Sequence, residues 1–233
     1  CGNEGRLRTY GVWGVEPRLR ATSRIAGVEG ETDFGVRLHA ERQDREQRNG
    51  DLPRSRDGVL VEQNVREADA ASAFVQHRFL LGRLTLTPGL RVEGIRYRRT
   101  NQLANGGAGV SGETRMTQWI PGVGMTAAPT PAITVFAGIH RGFSPPRTED
   151  VINNSTGGVV DLAPELSWDS EIGIRWMARA GGAIEATWFL MDYENQIVPA
   201  SLAGGAGATL TNGGQTRHQG LEISGRVDSA AIA

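Results

Sequence analysis

The chain has 233 residues, a mean hydropathy of -0.32 and a formal net charge of -1. The charge gives no reason to expect nucleic-acid binding, and the lack of a continuous apolar run of about 18 residues excludes membrane-spanning helices. Its 32 glycines and 10 prolines, beside only 4 histidines, are typical of a turn-rich all-β chain, and the single cysteine, Cys1, excludes an internal disulfide.

Alternating apolar and polar side chains predict two strands in the first fifth of the chain. The first runs from Arg6 to about Arg20, and the second is centred on Phe34 to Ala40. The second continues through Arg42 to Arg48 with charges on both faces. A lipid-facing arginine or lysine at the bilayer midplane costs about 2–4 kcal/mol, so we expect this continuation above a membrane, leading into a polar loop at 49–58.

Two strands on either side of Gly82 come next in the sequence. The third strand is readable from about Ala71, and the fourth runs from Leu84 to Glu93. Pro88 donates no ladder hydrogen bond, so a bulge or an early strand position is expected there. From Arg96 to Gly112 we predict a basic and then glycine-rich loop.

The second half of the chain repeats this pattern of strands. The predicted strands are at 119–125, 133–139, 168–178, from Ile184 onward, and at 221–227. Short connections are predicted near Gly82, Pro129 and Gly181, and long ones at 47–60, 99–113, 143–166 and 200–216. Outer-membrane barrels have short periplasmic turns and long external loops, whereas a soluble sandwich has no reason to keep its long loops at one end.

The fold predicted from these patterns is an antiparallel transmembrane β-barrel. Nine strands are predicted, while bacterial single-chain barrels have an even number, and nine would leave two unpaired edges. We therefore expect residues 1–233 to be part of one β-barrel domain of a larger barrel.

Five segments resemble, in the family's order, the barrel of TonB-dependent outer-membrane receptors, particularly those for ferric dicitrate and related siderophores. They are ADAASAFVQHRFLLGRLTLTPGLRVEGIRY at 68–97, WIPGVGMTAAPTPAITVFAGIHRGFSPP at 119–146, LSWDSEIGIRW at 166–176, ATWFLMDYENQIVPAS at 186–201 and TRHQGLEISGR at 216–226. The resemblance implies a 22-stranded barrel with a plug in its lumen. We expect the plug domain and the C-terminal strands to be absent from this sequence.

The resemblance also implies a function in the bacterial outer membrane. The full-length protein would take up a ferric siderophore or ferric chelate, energised through the TonB complex, with outer-membrane lipid around it and no cofactor. The alternative is a barrel that imports nothing by this route, such as a porin or an adhesin. That alternative would be favoured if the gene upstream encoded a signal peptide but no plug.

Basic side chains near the external loops are the candidate ligand contacts. Ferric siderophore complexes are often anionic, and the planar guanidinium matches carboxylates. The candidates are His140, Arg141, Arg147, Arg96, Arg98 and Arg217. His140 and Arg141 form the preferred pair, because they lie where a strand leaves toward the longest loop. The competing interpretation is that these are solvated charges paired with Glu149, Asp150 or Glu194.

Other sequence features favour a structural role. Trp168, Trp176 and Trp188 are expected in the aromatic girdles of a barrel rather than on a ligand. No enzyme is predicted, because Ser111 lacks the second glycine of a nucleophile elbow and no H-E-x-x-H motif occurs. A surface hydrolase built on His140, Ser144 and Asp150, and a soluble β-sandwich, are the remaining rivals.

Overall fold

In the computed structural model, residues 2–55, 57–178, 181–199, 202 and 210–227 are described, and they form one antiparallel sheet. The strands are β1 (Asn3–Val15), β2 (Arg18–Ile25), β3 (Val28–Gly50), β4 (Val59–Leu81), β5 (Leu84–Asn101), β6 (Val110–Thr130), β7 (Ile133–Ser144), β8 (Glu165–Met177), β9 (Gly182–Pro199) and β10 (Leu210–Val227). Each strand after β3 pairs with its sequence neighbour, as in an up-and-down barrel wall.

The described sheet has ten strands in nine positions, because its first position is occupied by two short strands. β1 pairs with the loop-side half of β3 and β2 with the other half, and both follow the same edge. Glu16 and Pro17 interrupt them, and the carbonyl oxygen of Pro17 still accepts a 3.2 Å bond from the amide of Val36. The sequence predicted this position as one strand, from Arg6 to Arg20.

The register gives the sheet one apolar face and one polar face. Leu90 of β5 lies beside Val75 of β4 and Pro121 of β6, and its parity defines the apolar face. Arg91 is on the opposite parity and donates to Ser72 of β4 at 2.8 Å, on the polar face. The predicted faces of the strands are therefore confirmed.

The apolar face is not covered by any other described part of the chain. Leu221 is 65% exposed and Ile223 is 70% exposed, and Ile172 and Trp176 are also exposed. Such a continuous exposed apolar surface is typical of a membrane protein rather than of a soluble monomer. It argues against the soluble β-sandwich.

Tryptophans mark where the apolar face ends on the side of the long loops. Trp13, Trp119 and Trp168 lie at this limit on β1, β6 and β8. Beyond them the residues of the same parity are mostly polar or glycine, and on β6 they include Arg115 and Glu113. We call the surface between these tryptophans and the short turns the apolar band. Trp176 lies near its other limit, and Trp188 lies inside it, opposite Ile172.

The connections alternate between short and long, as predicted. Short turns join β2 to β3, β4 to β5 and β6 to β7, and Gly82 adopts the positive φ of +69° that a tight reversal requires. The long connections are 51–58, 102–109 and 145–164. The turn predicted at 179–182 and the loop predicted at 200–216 lie partly outside the described residues.

Several strands are longer on the loop side than the sequence analysis predicted. β4 begins at Val59 rather than near Ala71, and Arg96 to Asn101 belong to β5 rather than to a loop. Arg42 to Arg48 lie within β3, paired on both sides. Beyond the apolar band both faces are polar, so the period-two hydropathy signal disappears although the ladder hydrogen bonds continue.

Pro88 is the fifth of the 18 residues of β5, an early position, as predicted, in a strand that is paired on both sides. It pairs with Val123 of β6, but the β4–β5 ladder is interrupted opposite it, between the pairs Gln76–Gly89 and Phe79–Leu86. The ladder has therefore lost pairing on one side, which is how a sheet accommodates a residue without an N–H.

The helical content of the described chain is small. Its single α-helix, α1, spans Thr148–Val151, and a 3₁₀ turn spans Asn105–Gly107. No helix among the described residues is long and apolar enough to span a membrane.

Candidate functional site

The connection between β7 and β8, which we call the inner loop (145–164), folds back onto the polar face of the sheet. α1 and the Ile152–Val159 bridge give it a compact shape. Val151 and Ile152 are almost fully buried, and they pack with Leu162 against Tyr97 of β5. This is the main apolar cluster of the described chain, and it lies beyond the apolar band.

A glycine on β6 allows the inner loop to approach the sheet closely. A Cβ atom at Gly112 would lie 2.6 Å from Cγ2 of Ile152, which is closer than real Cβ atoms come to their neighbours. Gly157 of the loop lies against the same strand and has a positive φ of +68°. Glycine at both positions therefore permits the backbone contact.

Arg99 of β5 anchors the inner loop through backbone carbonyls. Its Nη1 donates to the carbonyl oxygen of Ile152 at 2.9 Å and to that of Glu149 at 3.5 Å. Burial lowers the pKa of Arg99, and the positive charge of Arg66 lowers it further. An arginine stays protonated despite such a shift, so Arg99 is a buried cation solvated by loop carbonyls.

Two further polar contacts fix the inner loop to β4 and β5. Arg66 donates through Nη1 to Oε2 of Glu149 at 2.9 Å, and the Arg66 side chain is only 10% exposed. The side-chain amide of Asn101 donates to the carbonyl oxygen of Asn154, also at 2.9 Å. Together with Arg99, these contacts hold the loop against the wall of the sheet.

A cavity of about 420 Å³ lies between the inner loop and strands β1, β3, β4 and β5. Its polar and aromatic lining includes Arg8, His39, Arg66, Tyr97, Arg147 and Glu149. The volume is within the range of about 300–1,000 Å³ usual for small-molecule sites. Arginines beside tyrosine and carboxylates can bind an anionic ligand that also has hydrogen-bond donors.

Two groups of this cavity have shifted pKa values. Burial raises the pKa of Tyr97, and the negative charge of Glu41 raises it further, so the phenol stays neutral and can donate a hydrogen bond. The hydrogen bond from Arg147 Nε to Oδ2 of Asp150, 2.8 Å long, raises the pKa of Arg147. Arg147 therefore carries a permanent charge at the rim of the cavity.

His140 and Arg141 are consecutive, but the structure places them on opposite faces of β7. His140 is on the polar face, with Nε2 3.4 Å from Oδ2 of Asp169. Arg141 has the parity of the apolar face, where it lies 5.1 Å from the ring of Trp168 and donates to Glu194 at 2.9 Å. The two side chains therefore do not form one site.

Three other predicted candidates also have the parity of the apolar face: Arg96 and Arg98 lie beyond the apolar band, and Arg217 lies at its limit, in one row with Trp168. Arg96 and Arg98 both donate to Glu113 of β6, and Arg217 donates to Asp192 of β9 at 2.6 Å. Of the six candidates, the polar face therefore carries His140, while Arg147 lies in the inner loop above that face. Pairing with Glu194 and Asp150, which the competing interpretation predicted, is present for Arg141 and Arg147.

Tyr97 and Arg66 were not predicted as parts of the site. Tyr97 has the parity of Arg91 on the same strand, so its face follows from the strand pattern. The prediction of a loop from Arg96 onward left that pattern unused. Within the described ranges, no group of three or more His, Cys, Asp or Glu side chains is arranged to hold a metal ion.

Comparison with known proteins gives a family and several structural neighbours. Residues 3–231 match the family model described as TonB dependent receptor-like, beta-barrel. The ferric citrate transporter FecA in its unliganded form superposes with a TM-score of 0.76 at 22% sequence identity, over 98% of this chain and 33% of FecA.

Two further receptors superpose similarly. The siderophore receptor PiuA from Acinetobacter baumannii has a TM-score of 0.75 at 14% identity, over 96% of this chain and 36% of PiuA. The ferripyoverdine receptor of the outer membrane of Pseudomonas aeruginosa, bound to ferripyoverdine, has a TM-score of 0.75 at 17% identity, over 97% and 31%. The chain thus spans about a third of the length of each of these structures.

Proposed function

Because the chain belongs to the TonB-dependent receptor-like β-barrel family, we propose that the full-length protein imports a ferric siderophore or another ferric chelate. The family consists of outer-membrane receptors and transporters rather than enzymes, which locates the chain in the bacterial outer membrane. The apolar band then meets lipid, and the polar face lines the lumen.

We infer that residues 1–233 are one continuous part of a single barrel domain. β1, β2 and β10 each have a neighbour on one side only among the described strands, and open edges are not stable in a membrane. Additional strands of the same protein would close the barrel. A plug inside the lumen is the family arrangement that this proposal adopts.

The cavity under the inner loop is the proposed ligand site. What supports it is the anchoring of the loop by Arg99, Arg66 and Asn101, which holds Arg147 above the lumen wall. Arg147 and Arg8 would bind the carboxylate or other anionic groups of a chelate, and Tyr97 would donate a hydrogen bond. His140 lies on the same lumen face, away from this cavity, as a secondary contact.

Energy coupling through TonB is the second part of the proposal, and family membership supports it. A porin or an adhesin would need no such coupling.

The two functions are distinguished by measuring the uptake of ⁵⁵Fe-labelled ferric citrate and ferric catecholate siderophores. The assay uses cells that express the full-length protein, with and without TonB. We expect saturable uptake of at least one chelate that is lost without TonB. Equal uptake in both strains would favour the porin.

The site is tested by Arg147→Gln in the same assay. We expect the apparent KM for the transported chelate to rise about tenfold, which corresponds to the loss of about 1.4 kcal/mol of binding. The matched control is Arg24→Gln, which removes an exposed arginine of β2 near the short turns. An unchanged KM for Arg147→Gln would place the ligand elsewhere in the lumen.

A further inference from the structure

Three asparagine–glycine pairs occur in the chain, and the structure places them in different surroundings. They are Asn49–Gly50, Asn105–Gly106 and Asn212–Gly213. Asparagine is a thermolabile residue, because the backbone nitrogen that follows it can attack its side-chain amide. Glycine at the following position has no Cβ atom and leaves this nitrogen unhindered. The sequence therefore gives the three pairs the same chemistry, and only their surroundings can distinguish them.

The second pair lies in the connection between β5 and β6, on the side of the long loops. Asn105 and Gly106 are both exposed, and both have a positive φ, of +53° and +67°. Among the described residues, the side chain of Asn105 has no hydrogen-bond partner, and the amide of Gly106 donates to none. Nothing lies within 4 Å of the place that a Cβ atom of Gly106 would occupy. The two reacting groups are therefore accessible and have room to rearrange.

Little opposes rotation of the backbone at Asn105. Its carbonyl oxygen accepts one hydrogen bond, from the amide of Ala108, and this bond is long at 3.3 Å. Rotation about the bond between Cα and the carbonyl carbon brings the nitrogen of Gly106 toward Cγ of Asn105. The approach that the reaction needs thus breaks one weak bond.

The side chain of Asn212, in contrast, is held by three hydrogen bonds. Its Nδ2 donates to the carbonyl oxygens of Ala163 and Asn195, both at 2.8 Å, and its Oδ1 accepts from the amide of Ala163 at 2.7 Å. Both polar atoms on Cγ are therefore engaged. Cγ can turn toward the nitrogen of Gly213 only if these bonds break.

Asn49 is exposed like Asn105, so exposure alone does not distinguish the pairs. It lies in β3, where it is paired with Glu4 of β1 and with Val59 of β4. Its Oδ1 also accepts from Nε2 of Gln47 at 3.0 Å. Rotation of the backbone at this position would open the ladder on both sides, which requires local unfolding of the sheet.

We propose that Asn105 is a site of spontaneous deamidation and that the fold protects the other two pairs. The nitrogen of Gly106 forms a bond to Cγ of Asn105, the bond from Cγ to Nδ2 breaks, and Nδ2 leaves as ammonia with the amide proton of Gly106. Water then opens the resulting cyclic imide. Cleavage between the nitrogen and Cγ gives aspartate, and cleavage between the nitrogen and the backbone carbonyl carbon gives isoaspartate.

The modification changes the charge of the sheet on the side of the long loops. Asn105 is neutral, whereas both products carry a carboxylate, and isoaspartate also places its methylene group in the backbone. The change occurs in the same connection as Asn101, whose side chain donates to the inner loop at the carbonyl oxygen of Asn154. The inference needs no enzyme and does not depend on the transported ligand.

The test follows ageing of the folded full-length protein in detergent and mildly alkaline buffer. Mass spectrometry of tryptic peptides measures the mass gain of an amide converted to an acid, and an unaged sample digested in parallel corrects for reaction during digestion. We expect the peptide with Asn105 to react at least about tenfold faster than those with Asn49 and Asn212. A comparable rate at either of these, or no gain at Asn105, would overturn the proposal.

Unfolding separates the effect of the structure from that of the sequence. In protein unfolded by guanidinium chloride, the three pairs should react at rates within about threefold of one another, because their hydrogen bonds are lost. If the peptide with Asn105 is still about tenfold faster there, the fold does not protect the other pairs and the inference fails.

The substitution Asn105→Gln assigns the reacting residue. Asn101 lies on the same tryptic peptide, between Thr100 and Arg115, so the peptide mass alone does not separate the two asparagines. The mass gain should disappear in the variant, because a glutamine side chain closes such a ring far more slowly. A gain that persists in the variant would place the reaction at Asn101 and contradict the proposal.

Discussion

Arg66 on β4 and Glu149 in the inner loop form an ion pair of 2.9 Å although they are 83 residues apart in sequence. Arg66 is shielded by the sheet and the loop, while the Glu149 side chain is 33% exposed. The pair joins a strand to a connection that the strand ladder alone would not hold against it. The position of the inner loop over the lumen wall therefore depends on a few identifiable side chains.

Substitution Glu149→Gln should loosen the inner loop without unfolding the barrel. Arg66 would lose its charged partner, and a hydrogen bond to a charged group contributes about 1.5–3 kcal/mol. We expect the amide of Val160, which donates to the carbonyl oxygen of Val151 at 2.8 Å, to exchange about tenfold faster. Hydrogen exchange read by mass spectrometry measures this. As a control, Glu185→Gln, which breaks the pair with Arg175 on β8, should leave Val160 unaffected.

Glu113 should make stability depend on pH in the acid range. Its hydrogen bonds with Arg96, Arg98 and Arg115 lower its pKa from 4.5 to about 2. A carboxyl with a lowered folded-state pKa stabilises the fold fully above pH 4.5, and this contribution declines as the pH falls toward 2. The difference in denaturation midpoint between the wild type and Glu113→Gln should therefore shrink between pH 4.5 and 2. A difference that is constant over this window would show that Glu113 titrates normally.

Lysine substitutions should separate the two faces of the sheet in the full-length protein. Leu90→Lys and Ile172→Lys place a charge in the apolar band, at a cost of about 2–4 kcal/mol near the midplane. Thr87→Lys and Glu171→Lys place it on the polar face, where water is available. We expect the first pair to reduce the amount of folded protein in the outer membrane severalfold, measured by heat-dependent gel mobility. Equal amounts for both pairs would mean that the faces are misassigned.

Period-two hydropathy was sufficient to predict the membrane part of the fold but not its extension. Leu90 and Ile172 alternate with polar neighbours, because one face meets lipid and the other meets water, so their strands and faces were predictable. Val59 to Ala70 continue the ladder with β3, with one register shift opposite Gln47 and Arg48, yet neither face there is consistently apolar, so the start of β4 was not predictable.

The candidate site was predictable only in part, for a related reason. Basic residues were selected by charge and nearness to a loop, which cannot distinguish the faces of a strand. Arg98 and Arg99 are adjacent, but one donates to Glu113 on the outer side and the other to Ile152 in the inner loop. The inner loop itself depends on contacts between residues 50 to 83 positions apart, for which the sequence has no local signal.

β3 and β4 each contain 23 residues, a length that determines where a molecule outside the cell first touches the protein. At about 3.3 Å per residue and a tilt of about 40°, such a strand rises about 58 Å, while the hydrocarbon-facing belt of a barrel is about 25 Å tall. The hydrogen-bonded sheet would thus extend about 30 Å beyond the hydrocarbon layer. A solute approaching from outside would contact this part of the sheet before it reached the membrane surface.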